Sequence, residues 1–314
     1  MSRYIIFLLF FISSSAFCQG VLTGQEVYIS LPEGELTGTL TTPLEARTLV
    51  ILHSGSGPTD RDGNQPNMKN NSLKMLSDEM TRAELATFRF DKRGVAKSKV
   101  TDFKEEDLSI DTYVNDLKLW IDKMKNTGNF DQIWIAGHSE GVLIGTLAAL
   151  DNPHVSGFIA LAGTGRPADI LIKEQLQNQP QFVMDAAMPI VVSLKAGNQV
   201  EEVPQFLNML FRKSVQPYLI SWFKYDPAEE MSKLKIPILV VHGLNDLQVS
   251  EQDANVLAEA SSKAKLLLIE DMNHVLKQTE ENSLQGQMKT YADPEILIHD
   301  ELVSKIISFI KSNP

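Results

Sequence analysis

One stretch of the chain leaves little choice of local fold: Gly137-His138-Ser139-Glu140-Gly141. It follows the β-rich run Gln132–Ala136 and precedes Val142–Leu150, an apolar run long enough for a buried helix. Strand, Gly-x-Ser-x-Gly, helix describes a sharp turn that lifts one serine above a sheet. The serine has to take strained backbone angles, and a glycine two residues to either side lets strand and helix close without Cβ clashes. The pattern alone also fits an ordinary glycine-containing turn. Its meaning depends on whether the chain supplies a base, an acid and oxyanion donors at matching places.

Short strand-like runs recur along the chain at Val27–Leu31, Leu36–Thr42, Thr48–Leu52, Thr87–Phe90, Gln132–Ala136, Phe158–Ala162, Ile236–Val241 and Leu266–Ile269. Helical patterns alternate with them. Leu73–Leu85 is apolar at 73, 76, 80, 83 and 85; Ser109–Met124 aligns Val114, Leu117, Trp120, Ile121 and Met124; Leu302–Ile310 closes the chain. This alternation predicts an α/β architecture, a mostly parallel eight-stranded sheet covered by helices on both faces. The first two strands, joined at Pro32-Glu33-Gly34, read as its antiparallel edge.

Residues 164–235 break the alternation and divide the core into 20–163 and 236–314. A structureless loop of that length is improbable inside a compact domain. Helical patches at Ile170–Leu176 and Val203–Phe211, interrupted by Pro180, Pro189, Pro204 and Pro217, read as a helical insertion. Emerging at the C-terminal edge of the sheet, where ligands bind, it is expected to form a cap over a site rather than a surface excursion.

Arg3, the eight apolar residues Ile5–Ile12 and the small residues Ser13-Ser14-Ser15-Ala16 read as a secretory signal over residues 1–19, cleaved after Cys18 or Gln19. The apolar run is too short to span a bilayer, so no stable membrane anchor is expected after cleavage. Cys18 is the only cysteine, and the mature chain would carry neither disulfide nor thiolate site. The net charge of −11 without basic runs argues against nucleic acid as a partner.

A serine hydroxyl needs a base before it can act as a nucleophile. Of the six histidines, His274 follows the last predicted strand, on the same sheet edge as Ser139, and is the candidate base. His53 and His242, also near strand ends, read as structural, and His138 as packing or bonding locally; His154 and His299 read as solvated or half-buried. The imidazole needs an acid to set its tautomer. Asp246, in the loop after a core strand, is that candidate; Asp271, three residues before His274, reads as shaping a turn. An oxyanion needs two backbone N–H donors. One is expected from Glu140 and the other from the loop His53-Ser54-Gly55-Ser56-Gly57-Pro58, with Ser56 preferred over Gly55. No Lys-Ser/Thr pair follows that loop to make a phosphate cradle, no dinucleotide fingerprint occurs, and no His/Asp/Glu cluster has metal-ligand spacing. The expected chemistry therefore uses no cofactor and no metal.

With these residues in place, nearly all of the mature chain resembles the α/β-hydrolase superfamily. The order Ser139, Asp246, His274 is that of its triad. Asp91-Lys92-Arg93-Gly94-Val95-Ala96-Lys97-Ser98 resembles its Asp-x-Arg-Gly-x-Gly-x-Ser segment, with Ala96 in place of a frequent glycine. The run Gly55–Asn64 resembles a subgroup of bacterial carboxylesterases related to serine aminopeptidase-like hydrolases. That resemblance implies an α/β-hydrolase fold and hydrolysis of small acyl esters, a small-molecule ester being the partner. The same triad also suits an aminopeptidase, amidase or thioesterase. An aminopeptidase would need an acid to hold the substrate amine, for which Glu174, Glu201, Glu202, Glu229 and Glu230 are candidates. A non-catalytic binding protein on the fold would be expected to lack part of the triad, and all three members are present.

Overall fold

The computed structural model describes residues 23–128, 130–177 and 179–314. The signal segment read at residues 1–19, with Cys18, lies outside the described residues. The strands are β1 (Gln25–Leu31), β2 (Gly34–Thr41), β3 (Thr48–His53), β4 (Ala86–Phe90), β5 (Gln132–His138), β6 (Gly157–Leu161), β7 (Ile238–Gly243) and β8 (Ala264–Ile269). They form one sheet in the order β1-β2-β4-β3-β5-β6-β7-β8. β2 is antiparallel to both β1 and β4, and the remaining neighbours are parallel.

The helices before the insertion are α1 (Ser72–Arg82), α2 (Ile110–Thr127) and α3 (Gly141–Ala149). Those within it are α4 (Ala168–Leu176), α5 (Gln181–Lys195), α6 (Asn208–Phe211), α7 (Gln216–Trp222) and α8 (Pro227–Ser232). Those after it are α9 (Glu251–Glu259), α10 (Leu284–Ala292) and α11 (Asp300–Lys311). Alternate residues of each central strand feed opposite layers. In β5, Ile133 and Ile135 pack with Leu117, Trp120 and Ile121 of α2 on one face; Trp134 and Ala136 pack with Leu76 of α1 and Ile306 of α11 on the other. Both faces are buried, which is why these strands read as continuous apolar runs rather than alternating ones. Ser109 caps α2: its hydroxyl accepts the Thr112 N–H while the Thr112 hydroxyl accepts the Ser109 N–H.

Strand order reverses direction between β3 and β5. The chain crosses from β3 outward to β4, then returns past β3 to β5. The loops leaving β3 and β5 therefore splay apart at the C-terminal edge and leave a crevice between them.

Between β6 and β7, helices α4 to α7 build a separate small core of Ile172, Ile190, Val191, Leu194, Phe211, Leu219 and Phe223, whereas α8 packs Met231 into the main core. Arg166 anchors its entrance, bonding Asp253 of α9 at 2.7 Å and Glu174 of α4 at 2.7 Å. Pro180 and Pro204 precede helical turns and Pro217 lies in the first turn of α7. Pro189 departs from the sequence expectation, because it lies inside α5 without interrupting it. A proline inside a helix costs about 3 kcal/mol. Ala187, Ile190, Val191 and Leu194 bury one face of α5 in the insertion core, and each large apolar side chain so buried contributes roughly 1.5–3 kcal/mol. The patch Val203–Phe211 is likewise not one helix but a 3₁₀ turn, Gln205–Leu207, followed by the short α6.

Candidate active site

The elbow between β5 and α3 has the geometry its glycines imply. Ser139 sits at φ 55°, the left-handed region that side chains other than glycine rarely adopt. A Cβ on Gly137 would collide with the Gly141 carbonyl, and one on Gly141 would lie 2.8 Å from the His53 carbonyl oxygen. Strand, turn and helix could not close on one another with larger residues at these two positions. The Ser139 N–H donates to the Leu161 carbonyl at 2.9 Å, tying the strained residue to the end of β6.

Asp246 and His274 arrive from the loops after β7 and β8. His274 Nδ1–H donates to Asp246 Oδ2 at 2.7 Å. The other carboxylate oxygen accepts the N–H groups of Gln248 at 2.8 Å and Val249 at 3.0 Å. Burial pushes the Asp246 carboxyl up, but the charge and hydrogen bond of His274, with help from His242 and the Val249 N–H, hold it below the usual carboxylate value. It is therefore an anion across the neutral range. Asp271 takes φ 53° in the turn before His274 and accepts the Thr279 N–H on its carbonyl.

The two loops are locked by α10, a helix that no apolar periodicity announces. Its inward face is polar: Gln287 donates to the carbonyls of Asn245 and Glu281, and Thr290 accepts from the Asn273 side chain at 2.7 Å. Asn245 and Asn273 are the neighbours of Asp246 and His274, so α10 fixes both in one frame.

The other histidines are set apart by burial. His53 is pushed down to about 3 by burial and by the charge of Lys92, and His138 down to about 4 by burial and by His274. His242 is also lowered by burial. His138 does not bond locally. Its Nε2–H donates to the His274 carbonyl at 2.8 Å, joining the elbow to the loop of His274 across the sheet edge. His299 caps the start of α11, accepting the Glu301 N–H.

The loop after β3 is held on several sides. Ser54 Oγ–H donates to the Thr59 carbonyl at 3.0 Å and Thr59 Oγ1–H to the Ser56 carbonyl at 2.8 Å. Asp60, Arg61 and Asp62 each hold partners. Asp60 accepts the N–H groups of Asp62 and Asn64, Arg61 pairs with Asp91 at 2.7 Å and Glu26 at 3.0 Å, and Asp62 pairs with Arg89. These pairs fasten the loop to the end of β4 and to β1. In the turn that follows, Ala96 takes φ 45°, a conformation glycine would adopt without strain. Among the described residues no acceptor takes the N–H of Ser56 or of Glu140.

Ser56, Ser139, Glu140 and His274 line one cavity of about 600 Å³. The insertion supplies its apolar wall through Leu171, Ile172, Leu210, Leu219 and Trp222. Two buried side chains, one lining this cavity and one behind the loop after β3, escape a reading based on motifs. Glu140, next to the serine, is buried, accepts the Tyr218 hydroxyl of α7 at 2.7 Å, and leaves Oε2 without a partner. Lys92, also buried, donates to the carbonyls of Gly55 and Gly57, the latter at 2.7 Å, and lies 5.5 Å from the Tyr113 ring centroid. Burial lowers Lys92 to about 8 against the charge of Glu140; burial raises Glu140 against Lys92 and Tyr218. A lysine at a variable motif position carries no pattern that marks it as buried. The five insertion glutamates stand elsewhere. Glu174 pairs with Arg166, Glu201 with Lys213, Glu229 and Glu230 with Lys233, and none of them, nor Glu202, lines the cavity.

Residues 69–214 match the model of the family described as "Serine aminopeptidase, S33". Over 264 residues the chain is 25% identical to Esterase EstD of Thermotoga maritima, an alignment covering 79% of this chain and 60% of that protein. The chain thus spans 60% of the length of that curated relative. Among solved structures, Est1E from Butyrivibrio proteoclasticus superposes with a TM-score of 0.60 at 17% identity, covering 91% of this chain and 98% of that one. The Pyrococcus furiosus esterase Pf2001 gives 0.59 at 13% identity (93% and 91% covered), and the α/β hydrolase GrgF from Penicillium sp. sh18 gives 0.61 at 15% (93% and 99%). At these identities the likeness establishes the fold, which is that of the α/β hydrolases.

Proposed function

We propose that this chain, an α/β hydrolase by fold, is a serine carboxylesterase acting on small acyl esters through an acyl-enzyme. The observation that carries the reading is the buried His274–Asp246 hydrogen bond on the cavity that the strained Ser139 also faces. Ser139 Oγ attacks the ester carbonyl carbon as His274 Nε2 takes its proton. Asp246 keeps the Nδ1–H tautomer in place and stabilises the imidazolium that forms. The carbonyl oxygen gains its negative charge against the N–H groups of Glu140 and Ser56. His274 returns the proton to the leaving alcohol. A water, deprotonated by the same imidazole, then attacks the acyl carbon and releases the acid and Ser139.

Several features favour an ester over an aminoacyl substrate. An ammonium group would need a free acid near the serine. The acids lining the cavity are Glu105, already bonded to Arg212 and Ser214, and Glu140, whose Oε1 accepts from Tyr218 and whose charge already faces the buried ammonium of Lys92. The apolar wall from the insertion suits a short acyl chain, consistent with its role as a cap, and a cavity of about 600 Å³ lies within the range of small-molecule sites. Purified protein is expected to turn over p-nitrophenyl acetate or butyrate at least 10²-fold faster, in kcat/KM, than aminoacyl-p-nitroanilides. The opposite ranking would contradict the ester assignment and favour an aminopeptidase.

Arg3 and the apolar run Ile5–Ile12 support export, with the protein acting outside the cytoplasm. In a bacterial host the full chain should be recovered from the periplasm or medium with an N-terminus at Gln19 or Gly20. Recovery of only the unprocessed chain from the cytoplasm would overturn this.

A further inference from the structure

We propose that Lys92 is a positioning residue of the oxyanion site: by holding the carbonyl of Gly55 from behind, it aims and polarises the N–H of Ser56. This deepens the triad reading above and rests on it. Three observations lead to it. First, the Gly55 carbonyl and the Ser56 N–H belong to one planar trans peptide and point in opposite directions. An ammonium that captures the carbonyl thereby sets where the N–H points. Second, Lys92 also takes the Gly57 carbonyl at 2.7 Å, so the same cation grips the peptide that carries the Ser56 N–H and the Gly57–Pro58 peptide that follows Gly57. Gly57 stands at φ 68°, the left-handed turn that lets the two carbonyls converge on one donor. Third, Gly55 packs directly beneath the serine, a Cβ there falling 3.1 Å from Ser139 Cβ, so the pinned peptide borders the reacting atom.

A cation bonded to an amide carbonyl withdraws electron density from the nitrogen and makes its N–H a stronger donor. The low-dielectric surroundings increase the effect. It also disposes of the alternative donor. The preceding peptide, which carries the Gly55 N–H, is not the one Lys92 holds by its oxygen, and Gly55 does not line the cavity. Glu140 completes the arrangement from the other donor. Its backbone N–H is the second oxyanion contact, while its carboxylate supplies the counter-charge that favours ionised Lys92. Tyr218 of α7 ties that carboxylate to the insertion at 2.7 Å. The buried charges of Lys92 and Glu140, which act on each other without direct contact, thus lie behind both oxyanion donors, and Tyr218 links Glu140 to the wall of the cavity.

The test compares Lys92→Met, which keeps the volume and removes the charge, with wild type on p-nitrophenyl acetate. Folding is verified by circular dichroism and a thermal melt. A donor made only in the transition state predicts that kcat falls about 10²-fold while KM stays within about threefold. A folded Lys92→Met enzyme with kcat within twofold of wild type, or with the loss confined to KM, would overturn the proposal.

Should Lys92→Met fail to fold, Glu140→Gln decides by its pH profile. The titratable groups facing Lys92 are Glu140 on the elbow, Tyr113 on α2 and His53 at the end of β3. Tyr113 is raised far above neutrality, chiefly by burial, and His53 is lowered to about 3. Only Glu140 therefore adjusts Lys92 within the working range. If kcat requires the ammonium, it declines above the Lys92 pKa. Removing the Glu140 charge makes the ammonium harder to keep, so the alkaline limb should move down by roughly one pH unit. A limb that stays in place would overturn the proposal. Ser139→Ala is run alongside. Full activity in that variant would bring down the triad reading itself, an outcome distinct from an active Lys92→Met enzyme beside an inactive Ser139→Ala one.

Discussion

Ser139→Ala is expected to lower kcat on p-nitrophenyl esters by roughly 10⁵–10⁶-fold while leaving the fold and its melting temperature nearly unchanged. Loss of the nucleophile removes the covalent pathway. What remains is the binding cavity and the oxyanion donors, which in comparable sites still exceed water by about 10³–10⁴-fold. The fold should survive because Ser139 contributes a backbone bond to Leu161 that alanine keeps, and because alanine is less bulky in the left-handed turn. Steady-state kinetics beside a denaturation curve separate the two consequences. Activity within tenfold of wild type would mean that another group attacks the carbonyl.

Asp246→Asn should be the second largest effect, with kcat near neutral pH reduced about 10⁴-fold and KM little changed. Asparagine has the shape of aspartate, and its carbonyl oxygen can still accept the N–H groups of Gln248 and Val249. Its amide then faces His274 Nδ1 as a donor. The imidazole answers by moving its proton to Nε2, the nitrogen that must accept from Ser139. The substitution therefore leaves the geometry standing and disables the base. The pH–rate profile on a p-nitrophenyl ester, fitted for kcat, reads this out. A variant retaining more than a tenth of wild-type kcat would show that another acid orients His274.

The fold was largely readable because its physics is periodic. β3, β5, β6 and β7 are short, apolar on both faces and separated by helices with one apolar side, so runs such as Trp134-Ile135-Ala136 announce a covered parallel sheet. The elbow was readable because Gly137 and Gly141 are demanded by contacts between backbones, and backbone demands leave glycines behind. Ser139, Asp246 and His274 were legible as candidates because each follows a strand, which brings Asp246 and His274 into contact and Ser139 and His274 onto one cavity.

What escaped was whatever depends on polar partners distant in sequence. α10 presents Gln287 and Thr290 inward, so it shows no apolar stripe, yet it holds the loops of Asp246 and His274 in register. Lys92 and Glu140 look like ordinary surface charges in a sequence. Only the folded chain shows them buried together beneath the loop after β3. Pro189 misleads in the opposite direction, since a local helix-breaking signal was outweighed by packing of α5 in the insertion core.

The central claim is that Ser139 forms a covalent adduct with an electrophilic carbonyl or phosphonyl group. Intact-mass and peptide-mapping mass spectrometry after treatment with a fluorophosphonate tests it most directly. The structure predicts one adduct per chain, localised to the peptide containing Gly137–Gly141 and assigned to Ser139, absent from Ser139→Ala and strongly slowed in Asp246→Asn. No adduct, or an adduct on any other residue that persists in Ser139→Ala, would contradict it.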